Sequence, residues 1–261
     1  MAHGYRTKDY WESKMQNKEK AVKHTEEMHD RYSHEIERCI NKSVVYGYPD
    51  KMPDNKMLKG HPKFKFENCD SVTSIFNHAG EKTAVLNFAS YKNPGGKFIE
   101  GSSAQEESLC HESFLYNVLK EMGPYYAYNR EHKNKALYKN RGIYTPSIVF
   151  ERNATSDFVQ CDVITVAAPN KGAAQKYMSV SDAENLSALH ARIEFIRRIA
   201  EEHNVQTLIL GAYGCGVFKQ EPKEVANAIK EIFKESAIEN IVLAIPGNNE
   251  NVSGFKEVFG F

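Results

Sequence analysis

Residues 84–107 read AVLNFASYKNPGGKFIEGSSAQEE, and the change of character along this stretch decides the fold class. Residues 84–90 form a short apolar run of the kind that fills a buried strand, whereas Leu109, Cys110, Phe114, Val118 and Met122 recur at helical spacing beyond it. A strand therefore passes through a loop into a helix, expected over residues 105–122 and stopped by Gly123 and Pro124. Gly95 and Gly96 lack a Cβ, so the backbone there is free to take positive φ and to approach a ligand closely. Gln105, Glu106 and Glu107 fall in the first helical turn, where unpaired N–H groups and the helix dipole favour negative charge. The residues alone leave two readings open: ordinary acidic capping, or a pair of carboxyl groups set beside a ligand loop.

Strands and helices alternate outward from this point. A strand is expected around residues 64–66, then a helix with Asp70 as N-cap and Gly80 at its end. Residues 143–150 and 163–167 are β-branched runs, a long helix covers 182–202, and residues 207–213 (TLILGAY) form the next strand. Pro222 opens a helix with Ala226, Ile229 and Phe233 on its apolar face, and residues 241–246 form a last core strand. Such alternation implies an α/β domain with a mostly buried sheet. Residues 1–43 are rich in Lys, Glu, His and Met, and Met28, Tyr32, Ile36 and Ile40 share one helical face. With the polar loop 46–62 as boundary, the expected organisation is an N-terminal helical extension over residues 1–60 packed on a domain over residues 61–261. His24, His29 and His34 are five apart, which fans them around a helix, so no metal site is expected there.

The 261 residues carry 34 basic and 34 acidic side chains, a zero net charge that gives no global field for duplex DNA or an anionic membrane. Any bound anion must be recognised locally. No apolar run approaches the ~20 residues of a membrane helix, and the N-terminus lacks a signal-peptide core. A soluble, cytoplasmic monomer is expected. The five cysteines are odd in number and form no CxxC pair, which suits reduced thiols better than a disulfide framework or zinc ribbon.

A second glycine loop, YGCGVFKQEP over residues 213–222, joins the strand at 207–213 to the helix opened by Pro222. Lys219 stands where a dinucleotide fingerprint has its third glycine, and neither a GKS/GKT, a GxSxG elbow nor an HExxH helix occurs. A general phosphate cradle and a plain tight connection both remain open.

The run NFASYKNPGGKFIEGSSAQEESLCHESFLY (residues 87–116) resembles the signature of microbial-type poly(ADP-ribose) glycohydrolases, macrodomain enzymes marked by a glycine triplet, a spacer and Gln-Glu-Glu. Seven residues lie here between Lys97 and Gln105, and the resemblance extends over about residues 64–246. It implies a three-layer α/β/α, macrodomain-like fold with a mixed central sheet. The implied activity is hydrolysis of the ribose–ribose bonds of poly(ADP-ribose), releasing ADP-ribose without cofactor or metal. By this resemblance Glu107 is the general acid, Glu106 hydrogen-bonds the substrate ribose and Gln105 orients the pair. Gly95, Gly96, Lys97 and Asn87 lie near the distal ribose, while Gly214, Cys215, Gly216 and Val217 wrap the diphosphate. Phe218 matches the aromatic that stacks on adenine, with Asn68 and Asp70 nearby. The residues themselves allow blander roles: Phe218 in the core, Asn87 capping a turn, Asp70 capping a helix. Lys97 departs from the family pattern, standing in place of the third glycine. Removal of single ADP-ribose units from protein or nucleobase acceptors is the nearest alternative, and a non-catalytic ADP-ribose reader is another. The retained Glu106 and Glu107 argue against the reader, which needs no acid.

An ordinary Glu of pKa about 4.3 is only about 0.2% protonated at pH 7. Phosphate charges at ~7 Å with an effective dielectric of ~20 each add about 2.4 kcal/mol against ionisation. Glu107 is thus expected to act as an acid once ADP-ribose is bound.

Overall fold

The computed structural model describes residues 8–54, 59–78, 80, 82–152 and 157–261, with side chains from residue 14 onward. Residues 1–7 of the expected extension and 55–58 of the expected boundary loop lie outside the described residues. Helix α1 (Lys8–Lys42) leads into β1 (Val44–Tyr46), and β2 (Lys63–Glu67) precedes α2 (Ser71–Asn77). After β3 (Thr83–Phe88) come three helices, α3 (Gln105–His111), α4 (Leu115–Leu119) and α5 (Gly123–Glu131). The hairpin strands β4 (Gly142–Glu151) and β5 (Phe158–Val166) precede α6 (Lys171–Met178) and α7 (Asp182–Glu202). The chain then runs through β6 (Thr207–Leu210), α8 (Pro222–Phe233), β7 (Asn240–Ala244) and α9 (Glu250–Phe259).

The strands form one sheet in the order β1-β4-β5-β3-β6-β7-β2. β5, β3, β6, β7 and β2 are mutually parallel, while β4 lies antiparallel between β1 and β5, so the sheet is mixed as expected. Successive side chains of a strand point to opposite faces, and the core divides accordingly. Ala84, Leu86, Leu208, Leu210, Ile241 and Leu243 pack with α7, α8 and α9 on one face. Val85, Val163, Ile209 and Val242 pack with α1 to α5 on the other. These are the three layers of the expected α/β/α fold. No helix among the described residues is long and apolar enough to cross a membrane.

The α1 face reads as expected: Met28 and Ile36 are buried, and Tyr32 and Ile40 pack partly buried against the same core. Of its histidines, His24 places Nε2 3.0 Å from the Ser113 carbonyl. Helix α7 begins and ends where its pattern does, opened by a capping box between Ser181 and Glu184. Helix 105–122, expected in one piece, is instead two, α3 and α4. The break lies at Glu112 and Ser113, where the backbone pairs with the end of β4: Glu151 donates to the Glu112 carbonyl at 2.8 Å. Ser113 Oγ substitutes for helical bonding, donating to the Leu109 carbonyl (2.6 Å) and accepting from Leu115 N (3.0 Å). Gly123 and Pro124 start α5 and do not close its predecessor, since proline suits a first helical turn. Three further elements, β1, α6 and α9, carry no pattern strong enough to be expected: β1 has three residues, and α9 lies beyond the last expected strand.

Behind the 213–222 loop, Asn185 of α7 and Gln220 exchange amide bonds of 2.9 and 2.8 Å, and Gln220 also donates to the Pro169 carbonyl at 2.8 Å. Both side chains are buried. Replacing Asn185 with Leu leaves one Gln220 acceptor without a donor in a dry site. The variant should lose about 1–3 kcal/mol of unfolding free energy, read from the urea midpoint; an unchanged midpoint would show that the pair adds nothing.

Candidate active site

The two glycine loops leave the carboxyl ends of β3 and β6, which are neighbours at the centre of the sheet. A crevice at that end of parallel strands is where an open α/β sheet binds its ligands. The Gln105 side chain fastens the start of α3 to the end of β3, accepting from Phe88 N at 2.8 Å and donating to the Leu86 carbonyl at 2.9 Å and Ser71 Oγ at 3.0 Å. The next two residues are thereby delivered to the loop side of the strand end. Glu106 is 4% exposed and Glu107 7%. Ser90 N donates to Glu106 Oε2 at 2.6 Å and Asn87 Nδ2 to Oε1 at 3.3 Å. Lys97 N donates to Glu107 Oε1 at 2.9 Å. Burial pushes the Glu106 carboxyl up to about 8; the Ser90 N–H opposes this and the neighbouring Glu107 adds to it.

Gly96 is required on two counts. Its φ is +62°, and a Cβ there would stand 2.6 Å from Glu107 Oε1 and 2.9 Å from Glu106 Oε2. Lys97, by contrast, has φ −116° and ψ 27°, a conformation open to any residue. The missing third glycine therefore leaves the loop intact. The Lys97 side chain is 62% exposed, with Nζ 3.9 Å from Glu100. Cys110 lies buried behind the pair, and burial together with both glutamates holds its thiol well above the ordinary range.

The second loop is closed by turn bonds from Cys215 N to the Ala212 carbonyl (3.1 Å), Lys219 N to Gly216 (3.2 Å) and Gln220 N to Gly214 (3.1 Å). Gly214, Gly216, Val217 and Phe218 line the cleft, and Val217 is 85% exposed. The Cys215 side chain packs against the core and does not reach the cleft. The edge of the Phe218 ring meets Tyr138 (centroids 6.1 Å apart), and Tyr138 stacks on Tyr91 at 3.9 Å. Phe218 is thus tied to the loop that leads from β3 to α3 and its carboxyl groups.

The cleft between the two loops has a volume of about 800 Å³. Of the expected residues it brings together Gly96, Lys97, Gln105, Glu106 and Glu107 on one wall and the 214–218 loop on the other. Gly95 and Asn87 stand behind its surface. Asn87 caps no turn with its amide, which donates to Glu106 and to Thr165 Oγ1 at 3.3 Å; its Oδ1 is buried without a partner. Asp70 caps α2, accepting from Thr73 N at 2.9 Å, and also lines the cleft, while Asn68 accepts from Gly247 N at 2.8 Å. Sequence reasoning missed Lys92, Asn249 and Asn251 on the same surface. A signal existed for Asn249, which caps α9 by accepting from Asn251 N and Val252 N. Among the described residues no group of three or more His, Cys, Asp or Glu is placed to hold a metal ion.

Residues 12–153 match the family model described as microbial-type PARG, catalytic domain. The structure of poly(ADP-ribose) glycohydrolase from Thermomonospora curvata superposes with a TM-score of 0.82 at 22% identity, covering 94% of this chain and 100% of that one. The same enzyme bound to the inhibitor ADP-HPD gives 0.78 at 22% identity, with 93% and 99% covered. Poly(ADP-ribose) glycohydrolase from Deinococcus radiodurans in complex with ADP-ribose gives 0.76 at 27% identity, with 86% and 96% covered. No curated protein sequence matches the chain.

The raised Glu106 carboxyl has a consequence for stability. An unfolded chain releases this proton near 4.5, whereas the native state holds it to about 8. Between these values the native state binds more protons, so stability falls as pH rises through the window. Chemical denaturation should show wild type losing a few kcal/mol between about pH 5 and 8, a loss that Glu106→Gln abolishes; parallel pH profiles for the two proteins would contradict the assignment.

Proposed function

The chain belongs to the microbial-type PARG catalytic-domain family, and from that premise we propose that it hydrolyses the ribose–ribose bonds of poly(ADP-ribose) and releases ADP-ribose. The observation that carries the reading is the buried pair Glu106 and Glu107, fixed by backbone N–H groups at the base of a cleft with a turn-rich glycine loop opposite. A site for binding alone needs shape and anion contacts but no buried carboxyl group that keeps its proton. In this reading the diphosphate lies along residues 214–217, where exposed backbone and the absence of side chains at Gly214 and Gly216 suit close approach. The adenine lies towards Asp70, Asn249 and Asn251. Phe218, expected to stack on the adenine, lines the same cleft and meets Tyr138, which stacks on Tyr91.

Cleavage passes through an oxocarbenium-like state at C1 of the terminal ribose. Glu107 gives its proton to the leaving oxygen as the C1–O bond breaks, and its carboxylate then takes a proton from the water that attacks C1. Glu106 hydrogen-bonds the ribose hydroxyl, and its proton, retained by burial, makes it a donor at neutral pH. That same retention favours a second assignment, with Glu106 as the acid. Residues 1–60 are read as an N-terminal extension of the catalytic domain 61–261: of its described part, α1 packs on the domain and β1 adds an edge strand to its sheet. Five free cysteines suit a reducing compartment, and we place the activity in the cytoplasm.

Turnover of poly(ADP-ribose) by Glu107→Gln should fall about 10²- to 10⁴-fold, while ADP-ribose binding by calorimetry is kept. Wild-type turnover in Glu107→Gln with the loss transferred to Glu106→Gln would move the acid to Glu106. Unaltered turnover in both variants would end the glycosidase reading.

A further inference from the structure

Two cations bracket the acidic loop. Lys92 and Lys97 flank the turn at Asn93–Gly96, both are exposed, and both line the cleft. The Lys97 backbone N–H is bonded to Glu107, so its side chain is rooted beside the acid of the proposed reaction. Among the described residues its ammonium pairs with Glu100 at 3.9 Å, both side chains being more than half exposed, a contact of little worth. Lys92 forms no ion pair among the described residues. The diphosphate of the unit being cleaved has its own cradle across the cleft, at residues 214–217, which leaves these two ammonium groups without an assigned anion.

The chemistry of the leaving group supplies one. The oxygen released from poly(ADP-ribose) is a hydroxyl of an adenosine ribose whose 5′ carbon carries a pyrophosphate. Polymer therefore brings two negative charges to within one sugar's width of the acid. A leaving amino acid side chain brings no phosphate.

Resting on the glycohydrolase reading, we propose that Lys92 and Lys97 form a leaving-group subsite that takes the pyrophosphate of the ADP-ribose unit adjoining the scissile bond and so selects polymer over single ADP-ribose units. Lysine in place of the third glycine is then a specificity device, at no cost to the loop, because the backbone at that position needs no glycine.

The test compares two substrates: poly(ADP-ribose), and ADP-ribose bearing an uncharged fluorogenic aryl group at C1. In Lys92→Ala/Lys97→Ala, kcat/KM on polymer should fall about five- to tenfold, the size expected of two exposed charge contacts, chiefly through KM. The ratio of polymer to aryl activity should fall by the same factor, and the dependence of log KM on log salt should become shallower. Lys97→Arg should restore most of the Lys97 share. Equal losses on both substrates, or an unchanged salt slope, would overturn the subsite and return the lysines to the bound unit's own diphosphate or to solvent. No release from either substrate by the wild-type protein would instead strike the glycohydrolase reading and take the subsite with it.

Discussion

Two adjacent carboxyl groups are held out of water by one loop, and the remainder of the site is arranged around that constraint. Each is anchored by a backbone N–H of the same β3–α3 connection, Ser90 for Glu106 and Lys97 for Glu107. Backbone donors do not swing away as long side chains do, so the pair is preorganised before any ligand arrives. The space in front of both is closed to a Cβ at Gly96. Burial without a full counter-charge keeps a proton on Glu106, which reduces the cost of placing two acids side by side.

The fold delivers this arrangement through strand order. Placing β3 beside β6 sets the acidic loop against the glycine loop across a single cleft. Supports come from behind on each side. Gln105 ties α3 to the β3 end, Asn185 and Gln220 brace the second loop, and α1 leans on the helices that follow the acidic loop, where Thr25 accepts from Asn117 Nδ2 at 3.0 Å. The two lysines sit outside this dry shell, where charge is hydrated and available to an incoming anion. In the proposed account, chemistry falls to the buried carboxyl groups at the start of α3 and selectivity to the exposed ammonium groups of the loop before it.

Much of this was legible in the residues because each central element is bounded by strong local signals. Ser181 and Glu184 cap α7, Pro222 opens α8, and the apolar runs of β3, β6 and β7 have no other home than a buried sheet. The acidic pair and the first glycine loop were legible as well, since they lie close together in sequence, and the second loop carries its own glycines at Gly211, Gly214 and Gly216. What stayed hidden depends on contacts between distant residues. The break at Ser113 follows from pairing with Phe150 of β4, which no helical periodicity records. The ring contacts of Tyr138 with Phe218 and with Tyr91 join three segments that are distant in sequence. That the backbone at Lys97 needs no glycine emerges only from its φ and ψ.

A crystal structure with ADP-ribose bound tests the account most directly. The terminal ribose should sit between Gly96 and the 216–218 loop, with its C1 hydroxyl within hydrogen-bond reach, about 2.6–3.2 Å, of the Glu107 carboxyl. A nucleotide whose terminal sugar lies at the Asp70 and Asn249 end, remote from both glutamates, would contradict it.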